Sequence, residues 1–246
     1  MVLALTAYEP NTDNIIHESK WAISKRCGNS IYKIFLHDSY PKIRKEVLLL
    51  QLSLGRKVKL SFDNMDKHWI CESDYMDLHP FINNIRIDEL VLQLRDIFNT
   101  WEYDSRYLDL ISDEWSESVI PWYCMLLRQY IPNSEEHISW LQHSRGEHFV
   151  HGDFTLSNVC LDNSKKVVVI DYENATLGPF LWDETTLVYS MIEQEQYVTA
   201  RYLFEEFSCK NEMLRAICSI RLALSIRKSQ NVRQRTEAYS YIFRNY

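Results

Sequence analysis

The spacing of apolar residues changes character along this 246-residue chain, from short strand-like runs before about residue 75 to helical spacing after about residue 88. That change calls for an α+β chain with strands gathered at its amino-terminal end. Trp21 to Arg26, Ile31 to Leu36, Lys57 to Phe62 and His68 to Cys71 are runs of apolar or β-branched residues, bounded by the turn signals Gly28-Asn29, His37-Asp38 and Asp63-Asn64. Between them Pro41 opens a segment, Lys42 to Leu54, with Ile43, Val47, Leu50 and Leu54 at helical spacing and Gly55 as its stop.

Beyond Asp88 the stripe Leu90, Leu94, Ile97 and Phe98 predicts a helix, followed by helices over Ser118 to Tyr130 and His137 to His143. One interruption stands out. Phe149-Val150 leads into a polar loop, and Val159 to Leu161 and Val167 to Ile170 flank the turn Asp162-Asn163-Ser164-Lys165 as a small hairpin; helical periodicity resumes after Asp183.

Composition excludes several classes. No run approaches the roughly 18 apolar residues of a membrane span, and Met1 to Glu9 lacks the basic flank of a signal peptide, so the expectation is a cytoplasmic protein without stable membrane insertion. The six cysteines are scattered with no Cys-x-x-Cys, which predicts reduced, buried thiols rather than a zinc site. A net charge of -7 argues against nucleic acid as a partner. Residues 210–246 nevertheless carry eight Lys/Arg against Glu212 and Glu237, a local +6, leaving residues 1–209 at -13.

The loop holds the densest chemistry: His151-Gly152-Asp153-Phe154-Thr155-Leu156-Ser157-Asn158, then Val168-Val169-Ile170-Asp171-Tyr172-Glu173. Phosphoryl transfer needs a carboxylate to orient the accepting hydroxyl and oxygen ligands for the Mg²⁺ that bridges the phosphates. Asp153, Asn158 and Asp171 supply that set.

This segment resembles the aminoglycoside phosphotransferase and choline kinase superfamily, whose pattern is His-Gly-Asp, four residues, Asn, a hairpin, then Ile-Asp-aromatic-acid. Gly178 and Asp183, five apart, extend the likeness over Phe149 to Trp182, although Glu184-Thr185 stands where the family usually has Leu-Ala. The resemblance implies a bilobal protein-kinase-like fold: a nucleotide-binding lobe over residues 1–75 with a small antiparallel sheet, and a mainly helical catalytic and acceptor-binding lobe over 76–246. It implies Asp153 as catalytic base or hydroxyl-orienting residue, Asn158 and Asp171 as magnesium ligands, and Asp183 as a structural carboxylate bonding amides of the catalytic loop. Lys33 sits where the family's phosphate-pairing lysine belongs, with Glu46 as its helical partner; Lys25, Lys42, Lys45 and Glu9 are rivals nearby. The phosphate-covering loop has a single glycine, so Gly28, Asn29 and Ser30 are expected to offer donors, and backbone groups around Glu72 and Asp74, at a hinge over Cys71 to Met76, to meet the base.

The implied activity is Mg²⁺-dependent transfer from ATP or GTP to a hydroxyl of a small molecule of aminoglycoside, choline/ethanolamine or sugar type. Only eleven residues separate Asp171 from Asp183, too few for the activation segment that a protein kinase uses to seat a peptide. A kinase acting on a macromolecule is one alternative; a catalytically silent nucleotide-binding protein is the other, suggested by the sparse glycine loop. For the acceptor two features pull apart. Residues 88–118 hold nine acids interleaved with Trp101, Tyr103, Tyr107 and Trp115, which suits a cation. Arg221, Arg227 and Lys228 suit an acidic acceptor, and ordinary solvated surface accounts for either.

Overall fold

The computed structural model describes residues 15–18, 22–27, 30–36, 40–55, 58–64, 66–74, 76, 78–81, 84–111 and 114–246. The chain divides into two compact units, Met1–Asp77 and Leu78–Tyr246.

The first unit contains β1 (Ile15–Glu18), β2 (Ala22–Cys27), β3 (Ser30–Phe35), α1 (Tyr40–Leu54), β4 (Lys59–Asp63) and β5 (His68–Asp74). The strands form one antiparallel sheet in the order β1-β2-β3-β5-β4. Register decides which side chains meet. Ala22, Phe35 and Trp69 lie opposite one another, as do Ser24, Lys33 and Cys71, so the period-two pleat puts both sets on one face. Ala22, Phe35 and Cys71 form the core with Ile43 and Val47 of α1, packed by Val58, Leu60 and Trp69. Lys33 therefore shares the helix-facing side of the sheet. Burial and then the Glu46 carboxylate push the Cys71 thiol up to about 12, so it is an inert apolar filler there.

The second unit runs through β6 (His79–Pro80), α2 (Ile87–Tyr103), α3 (Ser105–Leu108), a π-turn at Trp115–Val119, α4 (Ile120–Tyr130), α5 (Glu135–His143), β7 (His148–Val150), β8 (Val159–Leu161), β9 (Val167–Val169), β10 (Thr176–Gly178), α6 (Trp182–Glu193), α7 (Tyr197–Glu206), α8 (Asn211–Lys228) and α9 (Val232–Asn245). The hairpin forms where the sequence places it, β8 against β9, with β6 on the outer edge of β8. Its turn is held by Asp162, whose Oδ1 accepts from the Ser164 and Lys166 amides at 2.8 and 2.9 Å. Gln93 of α2 grips the far strand, its Oε1 accepting from the Val167 amide at 2.7 Å and its Nε2 donating to the Lys165 carbonyl at 3.1 Å. β7 pairs with β10.

Two helices form the centre of this unit. α6 is buried from Trp182 to Ile192, and α8 buries residues on nearly every side between Met213 and Ser225, the pattern of core helices. No described helix is long and apolar enough to cross a membrane.

Candidate active site

In the first unit, Lys33 Nζ lies 2.5 Å from Glu46 Oε1, an ion pair that joins β3 to α1. The lysine is 22 % exposed and the glutamate 6 %, so the carboxylate is desolvated and depends on its cation. Gly28 and Asn29 lie outside the described residues; Ser30 begins β3 opposite Asp74. Strand β5 is three residues longer than the alternation in His68 to Cys71 predicts. Glu72 thus falls within the ladder between Tyr32 and Lys59, where neighbouring strands occupy its backbone, and its side chain accepts from the Tyr32 hydroxyl at 3.1 Å. The expected hinge moves past Glu72. Asp74 pairs only with Ser30 among the described residues, and its side chain lies outside them.

In the second unit a polar loop runs from β7 to β8 over an aromatic floor. Trp101, 3 % exposed, meets Phe98, Phe149, His151 and Phe154 ring to ring. His151 is fully buried and its imidazole is held neutral, since burial lowers its pKa more than the Ile170 carbonyl, Asp153 and Asp171 raise it. The assigned network makes Nε2 the protonated nitrogen, donating to the Ile170 carbonyl at 2.9 Å, while Nδ1 faces the Asp153 amide at 3.4 Å. His151 thereby splints the loop to the segment that carries Asp171.

Asp183, at the start of α6, accepts from the His151 amide at 2.6 Å and the Gly152 amide at 3.1 Å, the structural part expected of it. Burial pushes its carboxyl up to about 8 against those two amides, which favour the charged form. Further along α6, Ser190 Oγ accepts from the Leu156 amide at 3.0 Å, so one rigid helix fixes both ends of the loop. Glu184 and Thr185 do not disturb the helix start: Thr185 bonds back to the Leu181 carbonyl at 2.7 Å, and Glu184 is buried with its carboxyl raised to about 7, chiefly by desolvation.

Gly152 has φ +81°, and a Cβ there would lie 2.4 Å from the Asn174 carbonyl oxygen. Gly152→Ala is expected to cost about 2–3 kcal/mol in urea unfolding, from the disfavoured φ together with a clash against backbone. Asp171 adopts φ 66°, ψ 61° ahead of the 3₁₀ turn Tyr172–Asn174. A left-handed aspartate is uncommon, and such strain persists where surrounding structure enforces it.

Asn158 is buried, and its Nδ2 donates to the Asp153 carbonyl at 2.8 Å, which among the described residues leaves Oδ1 available as a ligand atom. The Asn158 carbonyl accepts from the Ile170 amide at 3.0 Å, tying the residue to the neighbour of Asp171. An amide oxygen and a carboxylate are hard donors of the kind Mg²⁺ takes, so this pair fits such an ion.

Sequence reasoning missed the partner of Asp153. Arg221 of α8, 68 positions away, places Nη2 2.6 Å from Asp153 Oδ1. Burial alone would raise the Asp153 carboxyl, but the charge and hydrogen bond of Arg221, with a smaller contribution from the Asn158 hydrogen bond, leave it below its ordinary value. The Arg221 carbonyl in turn accepts from Arg235 Nη1 at 2.9 Å, and Arg235 Nε donates to Glu193 at 2.7 Å. Asp153→Ala is therefore expected to cost stability, because it strands Arg221. With the two side chains 31 % and 20 % exposed, the cost falls between that of a surface pair and a fully buried one, about 2 kcal/mol. Chemical denaturation should show that loss, and the Asp153→Ala/Arg221→Met double variant should recover part of it.

The acidic, aromatic segment divides: Asp88, Glu89, Asp96, Glu102, Asp109 and Glu117 are exposed and Tyr103 is 79 % exposed, whereas the other three interleaved aromatics turn inward. Trp101, Tyr107 and Trp115 are core residues at 3, 4 and 1 % exposure; Asp104 caps α3 and pairs with Arg106, and Asp88 pairs with Arg86.

A family model described as the phosphotransferase enzyme family matches residues 104–211, which include the whole loop, the hairpin and Asp183. No curated protein sequence matches the chain. Among solved structures, a choline/ethanolamine kinase family protein from Mesorhizobium loti is 11% identical with a TM-score of 0.60, over 98% of this chain and 90% of that one. Choline kinase LicA from Streptococcus pneumoniae is 13% identical with a TM-score of 0.56, over 94% and 91%. A thermostable mutant of aminoglycoside phosphotransferase APH(4)-Ia, in ternary complex with AMP-PNP and hygromycin B, is 13% identical with a TM-score of 0.58, over 93% and 90%. At these identities the structures speak for the fold, which is bilobal and protein-kinase-like. The family model thus spans the polar loop and the hairpin but less than half of the chain, and the solved structures add the fold to that likeness.

Proposed function

We propose that this phosphotransferase moves the γ-phosphate of ATP or GTP onto a hydroxyl of a small molecule. The observation that carries the reading is the loop itself, in which Asp153, Asn158 and the segment bearing Asp171 are fastened to one another by the Asn158, His151 and Ile170 hydrogen bonds. Transfer of a phosphoryl group asks a protein mainly for positioning and charge. Asp153, kept ionised by Arg221, is a weak base and a well-fixed acceptor, so its part is to orient the attacking hydroxyl and take its proton late. Asn158 Oδ1 and the Asp171 carboxylate would hold Mg²⁺, which when bound neutralises phosphate charge. In the amino-terminal unit, Lys33 braced by Glu46 would grip the nucleotide phosphates, with Ser30 and the Gly28-Asn29 turn beside them in sequence. The base would pair with backbone near Asp74, past Glu72.

The test is nucleotide consumption with Mg²⁺ against aminoglycosides, choline, ethanolamine, amino sugars, neutral sugars and sugar acids, each with ATP and with GTP. Phosphorylated product from one class, lost in Asp153→Asn, supports the reading. Nucleotide binding without transfer to any of these, or label moving only onto protein, counts against it and favours the silent or macromolecular alternatives.

A further inference from the structure

Arg221 is a poor choice for a kinase that takes a cationic acceptor. Its guanidinium sits on a core helix, always charged, and donates to the carboxylate that would orient the attacking hydroxyl. Two consequences follow from ordinary electrostatics. The negative charge of Asp153 is offset at contact distance, which weakens the pull of that carboxylate on an ammonium group. Among the described residues, the side chain's hydrogen bond to Asp153 uses one of its five N–H donors, and the side chain is 20 % exposed, so four donors are left for a further oxygen.

The surroundings agree. The phenols of Tyr123 and Tyr189 lie near the guanidinium, and the Tyr189 hydroxyl is buried with no hydrogen-bond partner among the described residues. Arg235 and Glu193 neutralise each other on the far side of the Arg221 backbone. Of the four aromatic residues that could cage a quaternary ammonium, Trp101, Tyr107 and Trp115 are spent in the core, and the exposed Tyr103 alone makes no cage.

We infer that Arg221 is a specificity residue: the acceptor carries an oxyanion, a carboxylate or phosphate, close to the hydroxyl that is phosphorylated, and Arg221 binds that group while holding Asp153 in place. This rests on the phosphotransferase reading above. A guanidinium bridging two oxyanions has the fork to serve both, which a lysine lacks.

The experiment uses the full chain and two matched sets of acceptors on one carbon frame: glucuronic acid, glucose and glucosamine, and glyceric acid, glycerol and 3-amino-1,2-propanediol. Binding is read by calorimetry with Mg²⁺ and AMP-PNP present, and transfer by initial rate with ATP. In the wild type the acid of at least one set should bind about ten- to a hundredfold more tightly than its neutral and amine counterparts, the range for a charged hydrogen bond. Arg221→Gln should bring the acid and neutral affinities together, and Arg221→Lys should restore the preference only in part. Equal binding across the sets, preference for an amine, no binding by any of the six compounds, or an Arg221→Gln variant that keeps the preference for the acid overturns the inference. Preferential binding of the acid without phosphate transfer would instead leave the anion site standing and count against the kinase reading.

Discussion

Replacing Asp171 by Asn should lower phosphoryl transfer about a thousandfold while leaving the melting curve close to that of the wild type. Asn is the informative replacement because residue 171 sits in the left-handed region, φ 66°, which Asn tolerates and Ala resists. Shape and backbone are then conserved and one charge is lost. A metal that clamps phosphate oxygens stabilises the transition state by several kcal/mol, and about 4 kcal/mol corresponds to three decades of rate. Initial rates at saturating nucleotide, with circular dichroism as the folding control, give the result. A folded Asp171→Asn protein with full activity would remove Asp171 from the metal site.

The largest expected change in stability belongs to Asp183→Ala. The carboxylate is the acceptor for two amides of a buried loop, His151 at 2.6 Å and Gly152 at 3.1 Å. Each buried donor left without an acceptor costs about 1–3 kcal/mol, partly offset by no longer burying a carboxyl group, for a net loss of about 3 kcal/mol in urea unfolding. Asp183→Asn should fall between, because its amide oxygen can serve one donor while its NH₂ faces the other. The pH dependence has a definite sign. The folded carboxyl, raised to about 8, holds its proton more tightly than the unfolded chain does, whose value is about 4. The contribution of Asp183 to stability is therefore fully present below about pH 4 and is lost as pH rises through 8. Wild type should lose stability relative to Asp183→Asn between those values, and parallel curves would contradict the shift.

What could be read from the sequence was what lies close along the chain or repeats with a period. Asp153, Asn158 and Asp171 are spaced by one loop and one hairpin, and the turn of that hairpin is written in Asp162 and its neighbours. The Lys33–Glu46 pair was legible through the family resemblance, which needs only a lysine on one strand and an acid on the helix that follows. The end of β5 was not legible, because Glu72, Ser73 and Asp74 carry none of the β-branched alternation that marks a strand; pairing with β3 holds them extended. Arg221 could be recognised as a cation of interest but not placed, since nothing local in residues 211–228 says which side of a helix buried nearly all round faces the loop. Of the interleaved residues of 88–118, six acids and Tyr103 are displayed while Trp101, Tyr107 and Trp115 are not, a division not legible in the sequence because composition does not distinguish a displayed ring from one packed under His151. Gln93, which grips β9, carries no signal of its own beyond a polar position on an amphipathic helix.

The central claim is transfer of phosphate to a small molecule through the Asp153 loop. The most direct measurement incubates the protein with Mg²⁺, γ-labelled ATP or GTP and a metabolite extract, then counts label separately in the acid-soluble organic fraction, in inorganic phosphate and in protein. The account predicts label in the acid-soluble organic fraction, abolished in both Asp153→Asn and Asp171→Asn. Label confined to protein or to inorganic phosphate, or incorporation that survives those two substitutions, would contradict it.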